Sequence, residues 1–134
     1  SIADQREGVM GKFNIADRAA ARRAATWPSI ADWPEYEDGW VSTCPIGSLP
    51  PNPFGFHEML GNLWEWCLDG YYAHSYDTHS AVDPVHPSDG LPQRTSRGGS
   101  FDNTIASVRV TSRDGAAPQV SGHTIGFRPA RRVE

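Results

Sequence analysis

The run Asn52 to Asp69, NPFGFHEMLGNLWEWCLD, constrains this chain more than any other stretch. It holds Phe54, Phe56, Met59, Leu60, Leu63, Trp64 and Trp66, broken by Pro53, Gly55 and Gly61. No single helical or alternating period spans it. His57 to Leu60 suits about one helical turn, Gly61-Asn62 is a turn signal, and Leu63 to Leu68 reads as a short buried strand. Glu65 stands among indoles. A carboxylate in apolar surroundings is costly unless it is paired, so Glu65 needs a partner.

At 134 residues the chain fits one domain. A net charge of -4 with no basic tract excludes an evident nucleic-acid footprint. No apolar run reaches membrane-spanning length and no signal-peptide pattern opens the chain, so the reading is a soluble protein, with the cytoplasm favoured. Cys44 and Cys67 do not make a disulfide framework and read as small buried thiols. With 13 Gly, 11 Pro and 5 Trp, the expected fold is α+β, irregular and loop-rich, held by aromatic anchors. Lys12 is the lone lysine. The arginines can fork hydrogen bonds to carbonyls and carboxylates, which suits structural tethers.

Residues 1–12 read as an arm or the continuation of something earlier. Phe13 to Ala16 is a short extended run, and Asp17 is a good N-cap for a helix over Arg18 to Ala25. Thr26 to Thr43 is loop-like, with Trp27-Pro28 and Trp33-Pro34. Its cluster Glu35, Glu37 and Asp38 is either a solvated acidic loop or part of a calcium site, since that ion takes oxygen ligands from irregular loops. Gly70 to Gln93 is polar, and its His74, His79 and His86 read as loop histidines or, by a weaker argument, a transition-metal set. Arg97 to Phe101 looks like a strand edged by glycines, Ser107 to Ser112 a weak strand, Asp114 to Thr124 a polar loop and Ile125 to Arg131 a closing strand. One short helix and a few short strands supply little core, although a domain must bury its apolar faces between layers. The expectation is a chain incomplete as a folding unit; a cooperative melt of the isolated monomer would refute that.

Four motifs occur in order: EDGW (Glu37 to Trp40), PPNPFGFHEMLGNLWEW (Pro50 to Trp66), RGGSF (Arg97 to Phe101) and IGFR (Ile125 to Arg128). In this order and spacing they resemble the formylglycine-generating-enzyme, or sulfatase-modifying-factor, family. The resemblance covers residues 13–131, leaves 132–134 as a tail, and matches the C-terminal half of that family's domain. It implies a C-type-lectin-like fold and, as a partner, the N-terminal half of the same domain on a separate or cleaved chain. It also implies structural calcium, as one or two ions. One set would be Asn14, the Ile15 carbonyl, Asp38 and the Trp40 carbonyl. The other would be the carbonyls of Leu60, Gly61 and Leu63 with the Glu65 carboxylate. The rival role for Glu65 is to accept turn N–H groups or an arginine.

The family's copper enzymes carry a cysteine pair shortly after GGS, because soft thiolates select Cu(I). Here those positions fall near Asn103 and Val108, so formylglycine generation, with its copper, is not expected. The sulfoxide synthases of ergothioneine biosynthesis bind iron through histidines of a separate helical domain, which this sequence lacks, so iron is not expected either. A third branch comprises variable proteins of diversity-generating retroelements, which display altered residues between RGGS and GFR. In that window Asn103, Thr104, Ser107, Arg109, Ser112, Arg113, Asp114 and His123 form the expected binding surface for a protein or small-molecule ligand. Arg109, Arg113 and Arg128 are also the expected tethers. The function expected is thus a non-catalytic binding module. The alternative is an oxygen-dependent oxidoreductase whose catalytic groups lie in other sequence.

Overall fold

Asp17 opens the α-helix as its chemistry requires. Its Oδ1 accepts the amides of Ala19 at 2.9 Å and Ala20 at 3.1 Å, two of the donors a helix start leaves without partners. The computed structural model describes residues 11–25, 27, 35–77, 80–82 and 84–130. In it this helix, α1, runs Arg18–Arg22 and buries Ala19 and Ala20. It stops short of Ala25 because Ala24 takes φ 58. Ala25 N then donates to Ala20 O and Ala24 N to Ala21 O, a Schellman closure. That closure usually advertises itself with glycine; here alanine holds the left-handed position, so no residue type marked the stop.

Among the described residues four strands form one mixed sheet. They are β1 (Trp64–Gly70), β2 (Arg94–Arg97), β3 (Arg113–Ala116) and β4 (Ile125–Gly126), in the order β3-β2-β1-β4. β1 pairs antiparallel with β2, Glu65 opposite Arg97, and parallel with β4, Glu65 opposite Gly126. β2 pairs antiparallel with β3. A 3₁₀ turn, Ser75–Asp77, lies between β1 and β2. β1 confirms the strand expected after Gly61-Asn62. The others shift. The strand expected over Arg97 to Phe101 lies earlier, because Gly98 and Gly99 turn the chain at φ 96 and 79. Ser107 to Ser112 forms turns, while β3 falls inside the stretch read as loop. The helical turn at His57 to Leu60 does not form; Glu58 stands at φ 46. The closing strand is confined to β4. The arm at 1–10, Pro28, Trp33, Pro34, His79 and the tail at 132–134 lie outside the described residues.

The centre of the molecule is a junction at Gly61-Asn62. A Cβ on Gly61 would stand 2.0 Å from the Asn14 carbonyl oxygen, so the close approach of the two backbones requires glycine. Asn62, at φ 63, joins three remote segments. Its amide donates to Asn14 O at 2.8 Å and its carbonyl accepts from Phe101 N at 3.0 Å. Its side chain pairs with both backbone groups of Cys44, at 3.0 and 3.2 Å. Around this junction sits a small core of Ile15, Tyr36 and Val108, with Phe13, Leu60 and Ile105 packed against it. The Tyr36 hydroxyl donates to Phe13 O at 2.6 Å and accepts from Phe13 N at 2.9 Å, and burial pushes its phenol well above the usual range. Among the described residues no helix is long and apolar enough to cross a membrane.

Candidate functional site

The window between RGGSF and IGFR divides into a frame and a display. Arg113 belongs to the frame. Its guanidinium donates to Tyr72 O at 3.0 Å, Ala73 O at 2.6 Å and the Ser75 hydroxyl, and lies 4.3 Å from the centre of the Tyr76 ring. Asn103 belongs there too: its Oδ1 accepts the Ser100 amide and hydroxyl, each at 3.0 Å, and its carbonyl accepts Ala16 N. Thr104 closes the next turn by accepting Ser107 N at 3.0 Å, and the Ser112 carbonyl accepts from Arg97. Val108 is buried in the core. The display consists of Ser107, Arg109, Asp114 and His123, all exposed. The His123 ring centre lies 6.1 Å from that of Phe101, which also meets Trp27 in a T-shaped contact at 5.1 Å. The residues expected to share one surface therefore divide into bonded and exposed side chains, a division the sequence did not indicate. Arg113 and Asn103 are committed to holding loops, while Arg109, expected as a tether, is exposed and makes no side-chain bond among the described residues.

The first cation set converges on Asp38. Its Oδ2 accepts Ile15 N at 3.0 Å and its Oδ1 accepts Trp40 N at 2.7 Å. Its own amide donates to Asp17 Oδ2 at 2.6 Å. Burial, aided by the neighbouring Asp17 charge, pushes the Asp38 carboxyl up to about 7. Asn14 is fully buried; its Nδ2 donates to Ser42 O at 2.8 Å, but its Oδ1 is buried with no hydrogen-bond partner. A buried lone pair with no donor, one residue from the Ile15 amide that binds a destabilised carboxylate, is what a hard cation would relieve. The residues thus fit calcium, with Asn14 Oδ1, the carbonyls of Ile15 and Trp40, and Asp38 as holders. Among the described residues no group of three or more His, Cys, Asp or Glu could hold a metal ion, so backbone carbonyls and Asn14 would have to contribute.

The second set is organised differently. Arg128 Nε donates to both Glu65 oxygens, at 3.0 and 2.9 Å, and its Nη2 lies 2.7 Å from Oε1. The same Nη2 donates to the carbonyls of His57 and Glu58. Glu65 is therefore neutralised by arginine, the rival role open from sequence. Leu60, Gly61 and Leu63 lie in the turn before β1, but the carboxylate that would join them around a cation is already engaged, so the set does not fit a cation as it stands. Sequence reasoning also missed a second structural acid. Buried Glu58 accepts Gly47 N at 2.9 Å and Leu49 N at 3.0 Å.

Comparisons place this architecture. The sulfatase-modifying factor enzyme 1-like domain model matches residues 5–133. A formylglycine-generating enzyme of Streptomyces coelicolor is 39% identical over 101 residues, covering 73% of this chain and 32% of its own length. A serine/threonine-protein kinase of Chlamydia pneumoniae is 33% identical over 95 residues, covering 69% of this chain and 15% of its own. Among solved structures, PvdO of Pseudomonas aeruginosa superposes with a TM-score of 0.62 at 33% identity, over 68% of this chain and 34% of that one. Variable protein 1 of Treponema denticola superposes at 0.54 and 29% identity, over 64% of this chain and 31% of that one. The chain spans about a third of the length of the formylglycine-generating enzyme and of these structures. Its loop-rich mixed sheet is of the C-type-lectin-like type these structures share. By the match over nearly its whole length, the chain belongs to the sulfatase-modifying factor enzyme 1-like domain family.

Proposed function

We propose that this chain is a non-catalytic binding module on a calcium-stabilised scaffold, presenting Ser107, Arg109, Asp114 and His123 to a protein or small-molecule ligand. One observation carries the reading. Within a single loop window the side chains committed to the frame (Asn103, Val108, Arg113) alternate with exposed polar ones whose hydrogen bonds, where they have any among the described residues, reach only close neighbours in the chain: Ser107 meets Thr104, and Asp114 accepts the Gly115 amide. Loops on a rigid scaffold are a common seat of binding. The likeness to a variable protein supports it, and retroelement diversification of the window belongs to the same proposal. So does a partner segment supplying the rest of the domain, in keeping with the small buried core.

The relatives' names favour the other reading, an oxygen-dependent oxidoreductase. Its thiolates would have to come from elsewhere, because Val108 is core and Asn103 is bonded to Ser100. Two measurements separate the readings. Mass spectrometry of a cysteine-bearing sulfatase-motif peptide, incubated with the copper-supplemented protein in air, should show no conversion; conversion refutes the proposal. Peptide and glycan arrays should show selective binding that the quadruple alanine variant of Ser107, Arg109, Asp114 and His123 loses without a change in melting temperature. Equal array profiles for the two proteins would also refute it.

A further inference from the structure

The aromatic run from Asn52 meets β2 and the chain around Val110. There an open groove of about 760 Å³ is walled by Phe54, Phe56, Met59 and Val110. The volume falls within the usual range for small-molecule sites, roughly 300–1,000 Å³. Phe54 is 83% exposed and Val110 79%, so their apolar area is not spent on this chain's own core.

The charge in the groove is the informative part. The chain is acidic overall, yet among the described residues the cations lining this groove, Lys12 and Arg97, make no ion pair with a carboxylate. Arg97 is held at the wall by its bond to the Tyr76 hydroxyl at 2.6 Å. The acid in the lining, Glu58, is occupied by the Gly47 and Leu49 amides. Apolar walls beside two cations that make no ion pair among the described residues complement an apolar body carrying an anion.

We propose that this groove binds a small aromatic carboxylate, its rings against Phe54, Phe56 and Val110 and its anion at Arg97 and Lys12. The groove takes Val110 from the loop window but none of its four exposed polar residues, Ser107, Arg109, Asp114 and His123, so it does not rest on their function. The test is calorimetric titration with naphthaleneacetate and its neutral counterpart naphthaleneethanol. The acid should bind saturably at one site. Arg97→Gln should weaken the acid about tenfold, the scale of a lost charged hydrogen bond, and leave the alcohol unchanged. Lys12→Gln should weaken the acid several-fold, and Val110→Glu should abolish binding of both. The last two alter exposed side chains, so an unchanged melt keeps the test valid even where Arg97→Gln loosens β2. Absence of saturable binding overturns the proposal, as does equal, variant-insensitive binding of acid and alcohol. A concentration-dependent dimer that Val110→Glu dissolves also overturns it, because the face is then a protein interface.

Discussion

Glu65 and Arg128 show how a residue's role is fixed by what it meets. Two bonds from Nε and a third contact from Nη2 make the pair a strong tether between β1 and the chain after β4. Arg128→Gln should cost about 2 kcal/mol, less than a fully buried pair because water still reaches both groups. The Glu65→Gln/Arg128→Gln double variant should recover part of that loss, and a double-mutant cycle in urea checks it. Asn62 carries a similar burden without charge. Asn62→Ala removes the two bonds to Cys44 and places a residue poorly suited to φ 63 at the junction. A loss of about 2–3 kcal/mol is expected, and Asn62→Gly should lose less because it relieves the backbone term. Both thiols are pushed up, chiefly by burial, so at neutral pH Cys44 and Cys67 should react with iodoacetamide more slowly than free cysteine. Equal alkylation rates in the native protein would contradict this.

At the level of elements, α1 and β1 were legible in the sequence, β2 and β3 were displaced, and β4 was placed at Ile125 but drawn too long. Asp17 announced α1 because a cap acts over two or three residues. Asp17→Ala should destabilise the protein by about 1 kcal/mol from the cap, and by more in total because Oδ2 also accepts the Asp38 amide. Chemical denaturation of that variant against Asp17→Asn measures the share. β3 escaped notice because its alternation is weak and its place is set by contacts: a Cβ on Gly115 would lie 2.3 Å from the Tyr71 ring, so the ring packs directly on the strand's backbone. β4 is brief because its hydrogen bonding to β1 covers only Trp64 and Glu65.

For the molecule as a whole, a small core centred on Ile15, Tyr36 and Val108 leaves much of the stability to backbone hydrogen bonds between loops. A cation at Asn14 and Asp38 would tie the segment before α1 to the loop at Trp40. Calcium in millimolar excess should raise the melting temperature by several degrees, since binding to the native state alone stabilises it by mass action. Chelation should reverse the shift, and Asp38→Ala should remove it while Glu65→Gln leaves it in place. A shift lost with Glu65→Gln and kept with Asp38→Ala would return the ion to the turn before β1.

By itself the sequence determined what depends on short-range chemistry or on motif order: the cap at Asp17, the turn at Gly61-Asn62, the strand that follows it, and the family. Tertiary structure alone decided the partner of Glu65, since Arg128 is 63 residues away. It also decided the junction role of Asn62, the burial of Val108, and which polar residues of the window are frame and which display. These outcomes depend on which remote backbone carbonyls and amides arrive beside a given side chain. No local pattern in Asn52 to Asp69 encodes that arrival; it follows from how the surrounding loops close.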